Sequence, residues 1–282
     1  MKLCFKQSYE SFKAYLIKFN EKITMGKKQY EIIDCHVHPF LSKNTNFEFF
    51  PSSSNADKFV EILKRAGISR VCGSVVKRLE KSTFKDVRKL NNEAFRFRDR
   101  YPDFYIPGIH VHPDFPDESC AEIEKAYDNG VRWIGELVGY MMGFTYISKS
   151  AFQIYKFASE LKLPVNIHLY NNDEAVKICK AFPDLKIIIA HPGSNKTDIQ
   201  ERVELISKFK NLYLDISGSG PNRWGMLRYA IDTAGKEKIL FGTDFPLCNP
   251  AMYVSGVNFE FLNEKERKAV FSGNFKRLTG LK

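Results

Sequence analysis

Two histidines separated by a single residue, in Asp34-Cys35-His36-Val37-His38-Pro39, are where this chain first offers chemistry. They follow Glu31-Ile32-Ile33, an apolar run that reads as the start of a strand. Residues two apart in a strand project to the same side, so His36 and His38 aim at one point. Two converging imidazoles are half of a site for a borderline divalent ion such as zinc. Pro39 has no N–H to give a ladder and is expected to end the strand. An isolated pair of this kind reads equally as two satisfied or exposed histidines, so the rest of the chain must decide between the readings.

The other four histidines repeat the placement. They lie in Gly108-Ile109-His110-Val111-His112-Pro113, in Asn166-Ile167-His168 and in Ile189-Ala190-His191-Pro192-Gly193, each closing an apolar run. Carboxylates hold similar positions: Glu136 in Ile134-Gly135-Glu136-Leu137, Asp215 in Leu214-Asp215-Ile216-Ser217-Gly218, and Asp244 in Gly242-Thr243-Asp244-Phe245-Pro246. A scatter of core or surface histidines would not fall this way, so the set reads as a functional constellation.

The elements that must position these groups alternate. Strand-like runs are predicted at Ile32–Cys35, Val71–Val76, Phe104–His110, Val131–Leu137, Pro164–His168, Lys186–Ala190, Leu212–Ile216 and Ile239–Gly242. Helical spacing occupies Ala56–Ala66, Asp86–Arg100, Asp117–Asn129, Ser150–Leu161, Asp173–Phe182, Thr197–Lys208 and Trp224–Ala234, with a last helix near Glu264–Leu278. Gly or Pro follows several of them, as in Ala66-Gly67, Asn129-Gly130 and Phe182-Pro183. Strict alternation requires a parallel sheet, and eight units close on themselves. The expectation is an α/β fold: a (β/α)8 TIM barrel over residues 30–282, preceded by an N-terminal helical extension over residues 1–29. In such barrels the reacting groups stand at the C-terminal ends of the strands, which is where these histidines and carboxylates fall.

Composition narrows the class. At 282 residues, 44% of them hydrophobic, the chain can bury the core a barrel needs. Six scattered cysteines with no CxxC read as reduced thiols and exclude a disulfide framework or a cysteine-based zinc site. No apolar run is long enough to span a membrane and no secretory signal is visible, so a cytoplasmic protein with no membrane partner is expected. The formal charge is +10, and half of that excess lies in residues 1–28, where seven lysines face two glutamates. Phe5, Tyr9, Phe12, Leu16 and Phe19 recur there at helical spacing, which reads as a packing helix ahead of a membrane-surface or partner-binding one. Elsewhere Lys and Arg are dispersed, without a basic block interleaved with aromatics, so no nucleic-acid partner is expected. The expected partner is a small-molecule substrate, and a homo-oligomer is left open.

The motifs DCHVH, IGEL, NIH, AHPG, YLDISG and GTDFP, in this order, together with the closing GNFKRLTGL, resemble the amidohydrolase superfamily in its amidohydrolase-related branch. That branch holds metal-dependent hydrolases and aromatic or muconate-type decarboxylases. The resemblance runs from about residue 31 to the end. It implies that His36, His38, His168 and Asp244 hold a divalent metal, zinc by preference, with one coordination position open for water. It implies that Asp244 takes a proton from that water and passes it on, and that His191 contacts and polarises or protonates the substrate. Glu136 occupies the place where some members of the superfamily carry a carboxylated lysine or a glutamate bridging two metals, and its magnesium-dependent deoxyribonucleases show a similar Gly-Glu. Glu136 is therefore either a ligand shared with a second ion or an acceptor for a ligand histidine. Candidate substrate contacts are His112, Arg223 and Tyr140; of the first, a structural role is an equal reading. The main functional expectation is a hydrolase in which metal-activated water attacks a C–N, C–O or lactone bond of a small polar substrate. The alternatives are a non-oxidative decarboxylase of an aromatic or unsaturated acid, and a non-catalytic small-molecule binder on the same barrel.

Overall fold

The computed structural model describes residues 30–50, 55–79 and 83–282. Strand β1 (Ile33–Val37) pairs with β2 (Arg70–Gly73), and β2 with β3 (Tyr105–Pro107), all in parallel. A second parallel ladder runs through β4 (Ile134–Leu137), β5 (Val165–Ile167), β6 (Ile187–Ile189), β7 (Leu212–Asp215) and β8 (Ile239–Leu240) in chain order. Two seams join the ladders. Ile109 bridges Ile134, with the Gly135 N–H donating to the Ile109 carbonyl at 2.8 Å. Val37 bridges Phe245, with the Cys35 N–H on the Phe241 carbonyl at 2.9 Å and the His38 N–H on the Phe245 carbonyl at 2.8 Å. The eight strands therefore close into the expected (β/α)8 barrel.

Helices follow the strands because the chain between them carries one apolar face and a cap. Ala56–Arg65 turns Phe59, Val60 and Leu63 inward and begins at Asn55, whose side chain accepts the Lys58 N–H. Ser148, Asn171 and Asn195 cap the helices Lys149–Glu160, Asn172–Ala181 and Lys196–Lys208 in the same manner. The C-terminal segment contributes Phe275 and Leu278 to a core shared with Ile33, Trp133, Ile188 and Leu240. Burying a side chain of that size contributes roughly 2–3 kcal/mol, which ties the last residues of the chain to the first strand.

Three details depart from the pattern read in the sequence. The run Phe104–His110 forms a strand only over Tyr105–Pro107, with an isolated bridge at Ile109, leaving His110 and His112 beyond the strand. The stretch Glu264–Leu278 is a helix broken by a π-helical segment, Ala269–Gly273. A helix over Pro250–Phe259 has no counterpart in the periodicity. Val254 and Val257 are buried while Met252 and Phe259 are exposed, so its apolar residues do not form a single stripe. Pro250 and the Asn249 cap start it. Residues Glu31–Lys282 form one compact unit. The expected helix over residues 1–29 lies outside the described residues. No helix among the described residues is long and apolar enough to cross a membrane.

Candidate active site

The barrel brings the ends of three other strands onto one carboxylate of β4. Glu136 Oε2 lies 3.4 Å from His36 Nε2 and 3.5 Å from His38 Nε2. Its other oxygen, Oε1, lies 2.9 Å from His168 Nδ1 and 3.5 Å from His191 Nε2. Asp244 Oδ1, arriving from beyond β8, stands 3.2 Å from His38 Nε2 and 3.7 Å from His36 Nε2. Glu136 is thus shared by two groups: His36, His38 and Asp244 on one side, His168 and His191 on the other.

A layer behind these side chains sets their orientation. His36 Nδ1 lies 3.0 Å from Asp215 Oδ2, which also accepts from Asn166 Nδ2 at 2.9 Å. Nδ1 therefore carries a proton and Nε2 is turned inward. His38 is turned the same way, its Nδ1 donating to the Ser74 carbonyl at 3.2 Å. Ser217 Oγ sits 2.9 Å from His191 Nδ1. Asp34 accepts the N–H of His36 at 3.1 Å and that of Thr243 at 3.0 Å, and the Thr243 hydroxyl at 2.5 Å. It locks the end of β1 to the loop that carries Asp244. His191 and Asp244 both hold φ +64, a left-handed conformation that costs a non-glycine residue about 1 kcal/mol or more. Gly218 is required where it stands, because a Cβ there would run into the His191 imidazole.

The electrostatics call for a cation. Burial pulls the His36 pKa down, but Glu136 and Asp215 outweigh it and hold the group well above the ordinary imidazole range. Burial alone would raise Glu136; His36 and His168 instead hold it well below the usual carboxylate range. Asp215, although buried, is held at about 2 by His36. Burial lowers His191. The donor set fits a metal as well. A tetrahedral ion with bonds of 2.0–2.1 Å sets its ligands about 3.4 Å apart. The four contacts linking the His36–His38 pair to Glu136 and Asp244 span 3.2–3.7 Å. His36 Nε2 is a buried nitrogen without a hydrogen-bond partner among the described residues. Glu136 belongs to two of the clusters able to hold an ion, one with His36 and His38, the other with His168 and His191.

The metal-ligand candidates from the sequence therefore gather around Glu136 and not as one set. His168 lies on its other oxygen, with His191, apart from His36, His38 and Asp244. Asp244 meets those two histidines without belonging to any of the clusters able to hold an ion. Tyr140 is also near: its ring packs against those of His168 and Tyr170, with centroids 5.3 and 5.1 Å away. Arg223 stands apart. It is exposed and lines a cavity of about 650 Å³ between the loop after β7 and the helix Pro250–Phe259, beside Trp224, Tyr253 and Cys248. His112 is corrected. Its Nε2 donates to the Met142 carbonyl at 2.9 Å, its Nδ1 accepts the Asp114 N–H at 3.2 Å, and its ring packs between Phe115 and Phe144. With both nitrogens committed to main chain, it braces the β3 and β4 loops and offers nothing to a substrate.

Sequence reading gave no role to Asp34, Asn166 or Ser217, and counted Asp215 in the constellation without giving it a task. A signal was there for three of them: Asp34 continues the alternation of 36 and 38, Asn166 that of 168, and Asp215 is a lone carboxylate at a strand end.

Comparison with known proteins places this geometry. The sequence profile of the amidohydrolase family matches residues 33–281. Among curated proteins none matches the chain. Solved structures of the same fold include an amidohydrolase of Staphylococcus aureus, 17% identical over 89% of this chain and 100% of its own, with a TM-score of 0.71. The 2,6-dihydroxybenzoate decarboxylase of Rhizobium is also 17% identical, over 89% of this chain and 99% of its own, with a TM-score of 0.70. A dihydroxybenzoic acid decarboxylase of Polaromonas, solved with manganese and 2-nitroresorcinol, gives 17% identity, 89% and 97% coverage and a TM-score of 0.68.

Proposed function

The chain belongs to the amidohydrolase family, and from that premise we propose that it is a divalent-metal-dependent hydrolase of a small polar molecule. One observation carries the reading: Glu136 turns one oxygen to His36 and His38 and the other to His168 and His191. His36, His38, Asp244 and Glu136 Oε2 would hold one ion, and Glu136 Oε1, His168 and His191 a second. Zinc and manganese both suit this mixture of imidazole and carboxylate. Bound there, such ions lower the pKa of water and polarise an oxygen of the substrate.

The residues of the chain supply the rest. Asp244 is the carboxylate of this cluster with the greater side-chain exposure, 11% against 4% for Glu136, so it is the one placed to accept a proton from water and hand it to the leaving group. Asp215 keeps His36 in the tautomer whose Nε2 faces inward, and Ser217 does the same for His191. Tyr140 walls the mouth beside His168, and the neighbouring cavity with Arg223 offers room and a guanidinium for the remote part of a substrate.

A second reading, non-oxidative decarboxylation of an aromatic or unsaturated acid, is favoured by two of the three named solved structures, which speak for it more directly than for hydrolysis. In that reading the centre orients a carboxylated substrate, and a proton is delivered to the carbon that loses carbon dioxide. Turnover in ¹⁸O-labelled water, and separately in deuterated water, distinguishes the two. Hydrolysis leaves the heavy oxygen in the product. Carbon dioxide release with deuterium at the vacated carbon, and no oxygen incorporation, would establish the decarboxylase instead.

A further inference from the structure

Glu136, His168 and His191 stand at the ends of three adjacent strands, where the β4–β5–β6 ladder stops at Leu137, Ile167 and Ile189. The carbonyls of His168, Leu169, Ala190 and His191 lie beyond that point and need other partners, while that of Leu137 already accepts the His168 N–H at 2.9 Å. Two side chains from outside the sheet provide them. Tyr146 Oη lies 2.7 Å from the Leu137 carbonyl and 2.9 Å from that of His168, and accepts the Gly139 N–H at 2.8 Å. Arg202, on the helix Lys196–Lys208, reaches further. Its Nη1 donates to the carbonyls of Ala190 at 3.0 Å and His191 at 2.5 Å, and its Nη2 to that of Leu169 at 2.5 Å.

These carbonyls belong to His168 and His191 or to residues next to Glu136, His168 and His191. Each of the three hydrogen bonds of Arg202 ends on main chain, a use of a planar fork of donors that fixes geometry without neutralising a carboxylate. The need is greatest at His191, whose left-handed φ of +64 turns its peptide out of the strand path. The other half of the centre has further supports that Arg202 does not touch. His36 and Asp244 are held by Asp34, Thr243 and the seam between Val37 and Phe245, although Asp215 and Ser217 each reach both His36 and His191 and so link the halves.

We infer that Arg202 is a positioning residue for the Glu136–His168–His191 half of the centre, setting cation binding there far more than in the His36–His38–Asp244 half. This rests on the metal-enzyme reading above. It predicts two separable ions, one of which answers to Arg202 more strongly than the other.

The test uses the full chain with Arg202→Met and Arg202→Lys. Ions are counted by elemental analysis after equilibration with manganese, and affinities are read by calorimetry. The imidazoles of the metal-free protein are followed by NMR with ¹⁵N-histidine. Wild type should hold two ions per chain. Arg202→Met should bind the second on the order of 10–100-fold more weakly and the first with far less change. Arg202→Lys, which keeps a donor and is the milder change should the methionine variant fail to fold, should weaken the second ion less. In both variants the His168 and His191 resonances should move more than those of His36 and His38. Two ions bound with wild-type affinity in both variants, or an equal loss of both ions, would overturn the inference. Wild type that takes up no ion would refute the metal-enzyme reading; the resonance pattern of the metal-free protein would still decide whether Arg202 positions His168 and His191.

Discussion

The same four residues, His-Val-His-Pro, occur twice in this barrel, at 36–39 and at 110–113, and they finish in different chemistry. His36 and His38 face Glu136 and Asp244. His110 and His112 face main chain: His110 Nε2 donates to the Val75 carbonyl at 2.8 Å and His112 Nε2 to that of Met142 at 2.9 Å. His110 Nδ1 is buried without a hydrogen-bond partner among the described residues, as His36 Nε2 is, but an imidazole that has donated to a carbonyl and faces no carboxylate gathers no negative charge that calls for an ion. Imidazoles turned toward two carboxylates share an excess of negative charge, and a divalent cation answers it. The difference lies in what surrounds each motif. Asn91 grips the peptide of His110 from both sides, accepting its N–H at 2.8 Å and donating to its carbonyl at 3.1 Å, which turns that segment toward the outer helices. The end of β1 is instead pinned to the β8 loop through Asp34. A spacing motif tells which side chains share a face, while their neighbours decide what that face can do.

The contrast can be broken most directly at Asp244. Asp244→Asn should lower kcat on the order of a hundredfold or more while the melting temperature holds, because the amide cannot take a proton. Full activity in this variant would place the chemistry elsewhere. Next in size is Glu136→Gln. One oxygen of the amide is a poor substitute for a carboxylate shared by two groups, so metal content should fall from two ions per chain to one or fewer, measured by elemental analysis. An unchanged count would reduce Glu136 to an acceptor for His168.

The second pair should answer in stability instead. His112→Ala removes a buried ring and leaves a carbonyl and an N–H unpaired, so unfolding in urea should show a loss of about 2–4 kcal/mol, with ion content per folded molecule unchanged. Loss of an ion from that variant would erase the distinction between the two motifs. The smallest effect is acid sensitivity at His110, whose pKa burial lowers from 6.5 to about 4. The unfolded chain then binds the proton more readily than the native one between those values. The stability that this group contributes is present above about pH 6.5 and is lost as the pH falls toward 4, up to roughly 3 kcal/mol. His110→Gln should flatten that part of the stability–pH curve. A curve of unchanged slope would show that the acid sensitivity arises elsewhere.

Much of the architecture was legible in the residues alone, and the reason is local. Alternation of apolar runs with capped amphipathic stretches depends on near neighbours, and it implies a parallel barrel once eight units are counted. Because the reacting ends of such strands share one face, the gathering of His36, His38, His168, His191 and Asp244 was implied as well. The helix Pro250–Phe259 escaped notice for an equally local reason, since its apolar residues follow no helical stripe.

What the tertiary structure alone decided are pairings across the barrel. Asp34 meets Thr243 across 209 positions and Asp215 meets His36 across 179, distances over which no periodicity carries information. The two-sided role of Glu136 is of this kind, because it needs β1 and β8 on one side and β5 and β6 on the other. So is the commitment of His112 to the Met142 carbonyl, which depends on where the turn after β4 comes to rest. Residue type and spacing determined which groups could do chemistry. Closure of the barrel decided which of them meet, because only closure brings strands distant in sequence within the few ångströms over which hydrogen bonds and metal coordination act.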